Sequence, residues 1–195
     1  MKSVTYLCSL LSVLPVAFGL VAPRDGYKVV LPTWTFQVTP GGETVVLNGT
    51  IQQARAELLK RNPNWDSDFP RNETKRLVDR TIGPNSRFNC EPRWGYGGAG
   101  MIQELISELD RADGIPVLPH GPGTCAKVSC KWDTAIWWCN DNRYLWVLES
   151  GGYTKIANGA SFIFQHCYHG GKDAQIAGQV FDKDNWNVIV CGGDC

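Results

Sequence analysis

Three kinds of hydrophobic patterning follow one another along the chain. The first is an unbroken apolar run from Tyr6 to Gly19, preceded by the positive start Met1-Lys2. A membrane-crossing helix needs roughly 20 apolar residues to traverse about 30 Å of hydrocarbon. This run is shorter and contains Pro15. Ala17 and Gly19 are small residues two apart, the pattern that signal peptidase accepts. Residues 1–19 therefore read as a cleavable signal peptide. No later segment has comparable apolar length, so no membrane span is expected after cleavage.

The second pattern occupies residues 20–76. Trp34-Thr35-Phe36-Gln37-Val38 alternates like a strand, Pro40-Gly41-Gly42 marks a turn, and Thr44-Val45-Val46-Leu47 forms a second strand. Thr50 is placed as an N-cap before Ile51, Ala54, Leu58 and Leu59, which recur at helical spacing, and Asn62-Pro63-Asn64 ends that helix. The segment reads as a hairpin plus one helix.

The third pattern, from residue 77 to Cys195, alternates helices with strand pairs. Gly100 to Arg111 is an amphipathic helix with Met101, Leu105, Ile106 and Leu109 on one face. Pro116 to Gly123 reads as a loop. Cys125 to Trp132 and Ala135 to Cys139 read as a hairpin turning at Asp133-Thr134, and Asn140-Asp141-Asn142 turns the chain again. Lys155 to Tyr168 is a second helix with Ile156, Ala160, Ile163, Phe164 and Cys167 inward. Gly178 to Phe181 and Trp186 to Val190 form a last hairpin across Asp182-Lys183-Asp184-Asn185. This order predicts an α+β fold: two helices packed on an antiparallel sheet as an α/β sandwich, preceded by the hairpin-plus-helix segment.

Charge changes this picture little. The 19 basic and 19 acidic residues balance, so no nucleic-acid partner is expected, because that class relies on a basic face or stripe. Cysteine changes it more. Cys8 leaves with the signal peptide, and Cys90, Cys125, Cys130, Cys139, Cys167, Cys191 and Cys195 remain, none of them between residues 20 and 89. In an oxidising secretory route these are disulfide candidates. Cys125 and Cys130 lack the C-x2-C spacing of zinc modules, so no metal and no cofactor is assigned. Seven is odd, and Cys191 or Cys195 is the candidate for the unpaired thiol.

The cysteine-free segment also carries two glycosylation sequons, Asn48-Gly49-Thr50 and Asn72-Glu73-Thr74. The dibasic pair Lys75-Arg76 follows, where cysteine usage changes. Residues 20–76 are therefore expected to form a glycosylated pro-segment, cut after Lys75-Arg76 to leave a cysteine-rich domain from 77 to 195.

The pattern Cys90, helix, Cys125-x4-Cys130, Ala135-Ile136-Trp137-Trp138-Cys139, Asn140-Asp141-Asn142, helix ending at Cys167, then Gly178-Gln179-Val180-Phe181 and Asn185-Trp186-Asn187-Val188-Ile189-Val190 resembles small cysteine-rich proteins secreted by filamentous fungi. Some of those are candidate effectors. More distantly the layout is similar to the killer-protein-4 toxin fold, which pairs two helices with a disulfide-held antiparallel sheet. The resemblance spans about residues 88–195. It implies a secreted, non-catalytic effector or toxin-like interaction protein acting in host interaction or virulence, with an extracellular protein or glycan of a host or competitor as its partner. It carries over no active residue.

Two other classes stay open. His120, His166 and His169 are the histidines, and a small secreted hydrolase or ribonuclease could join Glu149, His166 and Arg143 as acid, base and anion clamp. A histidine at a helix C-terminus also gains from the helix dipole with no function attached, and no catalytic residue is assigned. A carbohydrate-binding module would use exposed tryptophans. Trp137, Trp138 and Trp186 are the candidates, because strand neighbours face opposite sides and Trp137 and Trp138 cannot both lie under one helix layer.

Overall fold

The computed structural model describes residues 22–23, 25–70, 82–90, 93, 95–112, 114–149, 151–168, 170 and 174–195. The signal peptide 1–19, Asn72, Lys75, Arg76 and His169 lie outside the described residues.

The hairpin expected around the tryptophan pair is the centre of the molecule. Strand β7 (Thr124–Lys131) pairs antiparallel with β8 (Thr134–Asn140), and β8 pairs antiparallel with β12 (Trp186–Gly192). Strand β11 (Gly178–Phe181) and the two-residue β4 (Phe88–Asn89) extend the sheet beyond β12, and β1 (Lys28–Val30) closes the other edge. The order is β1-β7-β8-β12-β11-β4. Strand β1 runs parallel to β7, which departs from the expected all-antiparallel sheet. Three residues, Lys28-Val29-Val30, are too few to announce a strand by pattern, and pairing with the β7 edge makes them one. The β7–β8 turn falls at Trp132-Asp133 rather than Asp133-Thr134, with Trp132 in the left-handed region at φ 57°.

A second sheet has the order β3-β2-β6-β9. It joins β2 (Thr33–Gln37), β3 (Thr44–Asn48), β6 (Gly114–Leu118) and β9 (Trp146–Val147). Strand β6 replaces part of the expected Pro116–Gly123 loop. Pro116 has no N–H to donate, but its carbonyl accepts from the Leu148 N–H at 3.2 Å. A small third ladder pairs β5 (Gly97–Gly98) with β10 (Gln175–Ile176).

Four helices lie among the described residues. Helix α1 (Ile51–Arg61) starts as expected at Thr50. The Thr50 hydroxyl accepts from the Gln53 N–H, and the Gln53 side chain accepts from the Thr50 N–H, a complete capping box. Helix α2 (Trp65–Asp68) is a single turn. Helices α3 (Ala99–Arg111) and α4 (Gly152–Cys167) pack together on the inner face of the six-stranded sheet. They cover Ala126, Val128, Ile136, Trp138, Trp186, Val188 and Val190. The fold is therefore α+β and mostly sheet, with four helices and a second sheet among the described residues.

Residues 28–69 supply β1, β2, β3, α1 and α2, and they contribute to the same core. Trp34 and Phe36 of β2 are buried and stack on Tyr153 of α4, with ring centroids 4.7 and 5.9 Å apart. Strand β2 sits between β3 and β6, so it is an interior strand. Gln52 of α1 reaches the β-bulge of β7, where its Nε2 donates to Ser129 Oγ at 2.7 Å and its Oε1 accepts from the Cys130 N–H at 3.3 Å. The segment expected as a pro-segment thus packs into the same core as the cysteine-rich part of the chain. Removing the segment would strip the middle of one sheet and uncover Tyr153.

Three disulfides brace the fold. Cys90–Cys167 ties the end of β4 to the last residue of α4. Cys125–Cys139 links β7 to β8, and Cys130–Cys195 folds the carboxyl end back over the sheet. Among the described residues Cys191 is the free thiol and is buried; Cys195, the other candidate, is bonded. No helix among the described residues is long and apolar enough to cross a membrane.

A cleft on the outer face of the six-stranded sheet as the candidate functional site

All seven residues of β8 are buried, because the outer face of the sheet is covered too. Trp138 points to the helices. Trp137 points outward into a second cluster with Cys125, Cys130, Cys139, Ile189 and Cys191, and the Lys127 ammonium lies 5.3 Å from its ring centroid. Trp186 lies on the inner face. Trp137 is 3% exposed, and Trp138 and Trp186 are still less so. None of the three offers a face for stacking, which corrects their assignment as binding residues. Among the described residues the exposed tryptophan is Trp132, at 75% in the β7–β8 turn.

The covering is incomplete at the end of the sheet where β8 finishes and β12 begins. There the outer face carries Asn187 and Phe181 as cross-strand partners, with Gln179 and Asn89 paired in the same way further along. Over them stands a cleft of about 670 Å³. Asp25 and Tyr27, ahead of β1, form one wall. Arg87 and Asn89, around β4, form the opposite wall with Phe181. Asp141, just past β8, completes the lining.

The polar groups are held in a chain. Gln179 Nε2 donates to Asn187 Oδ1 at 2.9 Å, and Asn187 Nδ2 donates to Asp141 Oδ2 at 2.8 Å. The Gly123 N–H donates to Asp141 Oδ1 at 3.2 Å. The Asp141 carboxylate is thus fixed by two donors from different elements. The Arg87 guanidinium lies over the Phe181 ring at 4.1 Å, a cation–π contact that orients it. Two acceptors close to this chain, Asn89 Oδ1 and Gln179 Oε1, are buried and lack a hydrogen-bond partner among the described residues. A buried acceptor left unmatched costs roughly 1–3 kcal/mol, and both atoms lie beneath the surface rather than in the cleft.

The Glu149, His166 and Arg143 constellation is not assembled. His166 stands in the last turn of α4, stacked on Phe162 at 3.9 Å, and its Nδ1 is 2.8 Å from the Phe162 carbonyl. Glu149 precedes the first turn of the same helix, so about 20 Å of helix separates them. Arg143 lies on the exposed loop between β8 and β9. Among the described residues no group of three or more histidine, cysteine, aspartate or glutamate side chains is placed to hold a metal ion.

Sequence reasoning read Asp141 only as part of a turn and passed over Asp25, Tyr27, Arg87 and Asn89. Their convergence depends on the parallel docking of β1 and on the β4–β11 pairing, neither of which has a sequence signature. No family model matches the chain. Neither a curated protein nor a solved structure is similar to it.

Proposed function

We propose that the chain is a secreted, non-catalytic interaction protein, effector- or toxin-like, that acts outside the producing cell on a host or competitor. Its recognition site in this reading is the outer-face cleft, and the target it takes there is a glycan. The observation that carries the reading is the lining itself. A fixed carboxylate at Asp141 and an oriented guanidinium at Arg87 line one cleft together with the aromatic side chains Tyr27 and Phe181. Saccharides present hydroxyl donors and acceptors around an apolar ring face, and pockets that combine a few placed polar groups with aromatic walls suit them. The three disulfides are compatible with an extracellular setting.

The test is a titration of the purified protein with soluble oligosaccharides of chitin, β-glucan, xylan and mannan, followed by amide chemical-shift mapping. Shifts confined to residues 25–27, 87–89, 141 and 179–181 are expected. Asp141→Asn and Arg87→Ala should each weaken binding about tenfold or more, as expected for hydrogen bonds to charged groups, while Trp132→Ala leaves it unchanged. A folded protein that responds to none of these sugars overturns the glycan assignment. Recovery of the expressed chain from cells rather than medium overturns secretion.

A further inference from the structure

The four-stranded sheet buries only one of its faces. Trp34, Phe36, Pro116 and Leu118 point into the core. The opposite face carries Val46, Thr35 and Ile115 side by side in register, and Asn48, Thr33, Val117 and Val147 in the adjoining row. Val46 is 64% exposed and Ile115 41%. Strand β3 is also the edge of this sheet, and Thr44–Asn48 contains no charge and no proline. Native sheets ordinarily blunt such an edge with lysine, proline, a bulge or a cover, because its free N–H and C=O groups template pairing with another chain.

Asn48 ends β3 on that open face. Its Oδ1 accepts from the Thr33 hydroxyl at 3.0 Å, which turns Nδ2 away from the strand ladder. It heads the sequon Asn48-Gly49-Thr50. Asn48 itself is exposed, while Gly49, buried behind it, takes φ +105° where the chain leaves the strand. Neighbouring strands are about 4.8 Å apart, which puts Val117 about 10 Å from Asn48 across the face.

We propose that Asn48 carries an N-linked glycan, and that this glycan covers the open face and edge of the four-stranded sheet and prevents copies of the chain from pairing there. The proposal rests on the secretory reading above. In the transfer, Asn48 Nδ2 forms a bond to C1 of the first sugar of a lipid-linked pyrophosphate donor. The C1–O bond breaks, the lipid pyrophosphate leaves with the electron pair, and one Nδ2 proton passes to solvent. Oδ1 is not consumed, so the Thr33 hydrogen bond persists and aims the first sugar along the sheet.

The full chain, expressed in a eukaryotic secretory host, supplies the test. Glycopeptide mass analysis should find Asn48 occupied. Sedimentation velocity should show wild type as a monomer and Asn48→Gln as a species whose apparent mass approaches double with rising concentration. Val46→Lys added to Asn48→Gln should restore the monomer, and Asn72→Gln should not associate. Endoglycosidase treatment of folded wild type should reproduce the association without any substitution. An exported chain with bare Asn48 overturns the proposal, as does a glycan-trimmed protein that stays monomeric. Retention of the chain inside the cell refutes the secretory reading instead, and this proposal with it.

Discussion

Replacing Trp34 with alanine asks whether the amino-terminal segment is a structural component or an appendage. The indole is fully buried, stacks on Tyr153 at 4.7 Å, and donates from Nε1 to the Gly49 carbonyl at 2.6 Å. Truncating a buried tryptophan costs about 3–5 kcal/mol, part of it lost transfer energy and part the cavity left behind. The Gly49 carbonyl loses its partner as well, so the upper half of that range is expected. Domains of this size lose roughly 2–4 °C per kcal/mol. A loss of about 4 kcal/mol therefore predicts a fall in Tm of roughly 8–16 °C. The assay is thermal unfolding followed by circular dichroism with the disulfides intact, and Leu31→Ala, at an exposed position, serves as the control with a shift near zero. Every disulfide among the described residues lies within residues 90–195, so these bridges cannot mask the effect by anchoring β2. If Trp34→Ala unfolds within a degree or two of wild type, β2 is dispensable and the single-core description is wrong.

Gly159→Ala in α4 should destabilise the protein by about 1–3 kcal/mol in urea unfolding, although alanine is the better helix former by about 1 kcal/mol. A Cβ there would meet Val188 Cγ2 at 2.7 Å, whereas at Gly100 in α3 it would meet nothing, so Gly100→Ala should stabilise. Equal effects at both sites would refute the close docking of α4 on β12. Burial pushes the Cys191 thiol up from 9.0 to about 12. Its proton is retained in the fold while the unfolded chain loses one, so this source of stability is complete below pH 9.0 and is lost as pH rises towards 12. The slope is up to about 1.4 kcal/mol per pH unit. Cys191→Ala should show a shallower alkaline decline in denaturant midpoint than wild type; identical slopes would count against it. Native protein should also resist thiol alkylation until denaturant is added, and one thiol should then react.

Much of the local structure is written in the chain. The Thr50 cap, the Pro40-Gly41-Gly42 turn and the apolar stripes of α1, α3 and α4 rest on interactions between residues a few positions apart. Short-range patterning therefore reveals them. The cysteines are legible as disulfide candidates for the same kind of reason, and the seven from Cys90 to Cys195 cannot all pair among themselves. Only the tertiary structure decides which one is left unpaired. Cys195 lies on a tail free to reach Cys130, whereas Cys191 is fixed in β12 beside Ala135. The tryptophans mislead for a related reason. Period two shows that Trp137 and Trp138 face opposite ways, but not that Lys127, the disulfides and the carboxyl tail close over the outer face. The single core and the cleft are the least legible features. Both are made by pairings between distant segments, β1 with β7, β2 with β6 and β4 with β11. A strand of two or three residues acquires its identity from the edge it meets, so no local pattern could have placed Asp25, Arg87 and Asp141 around one space.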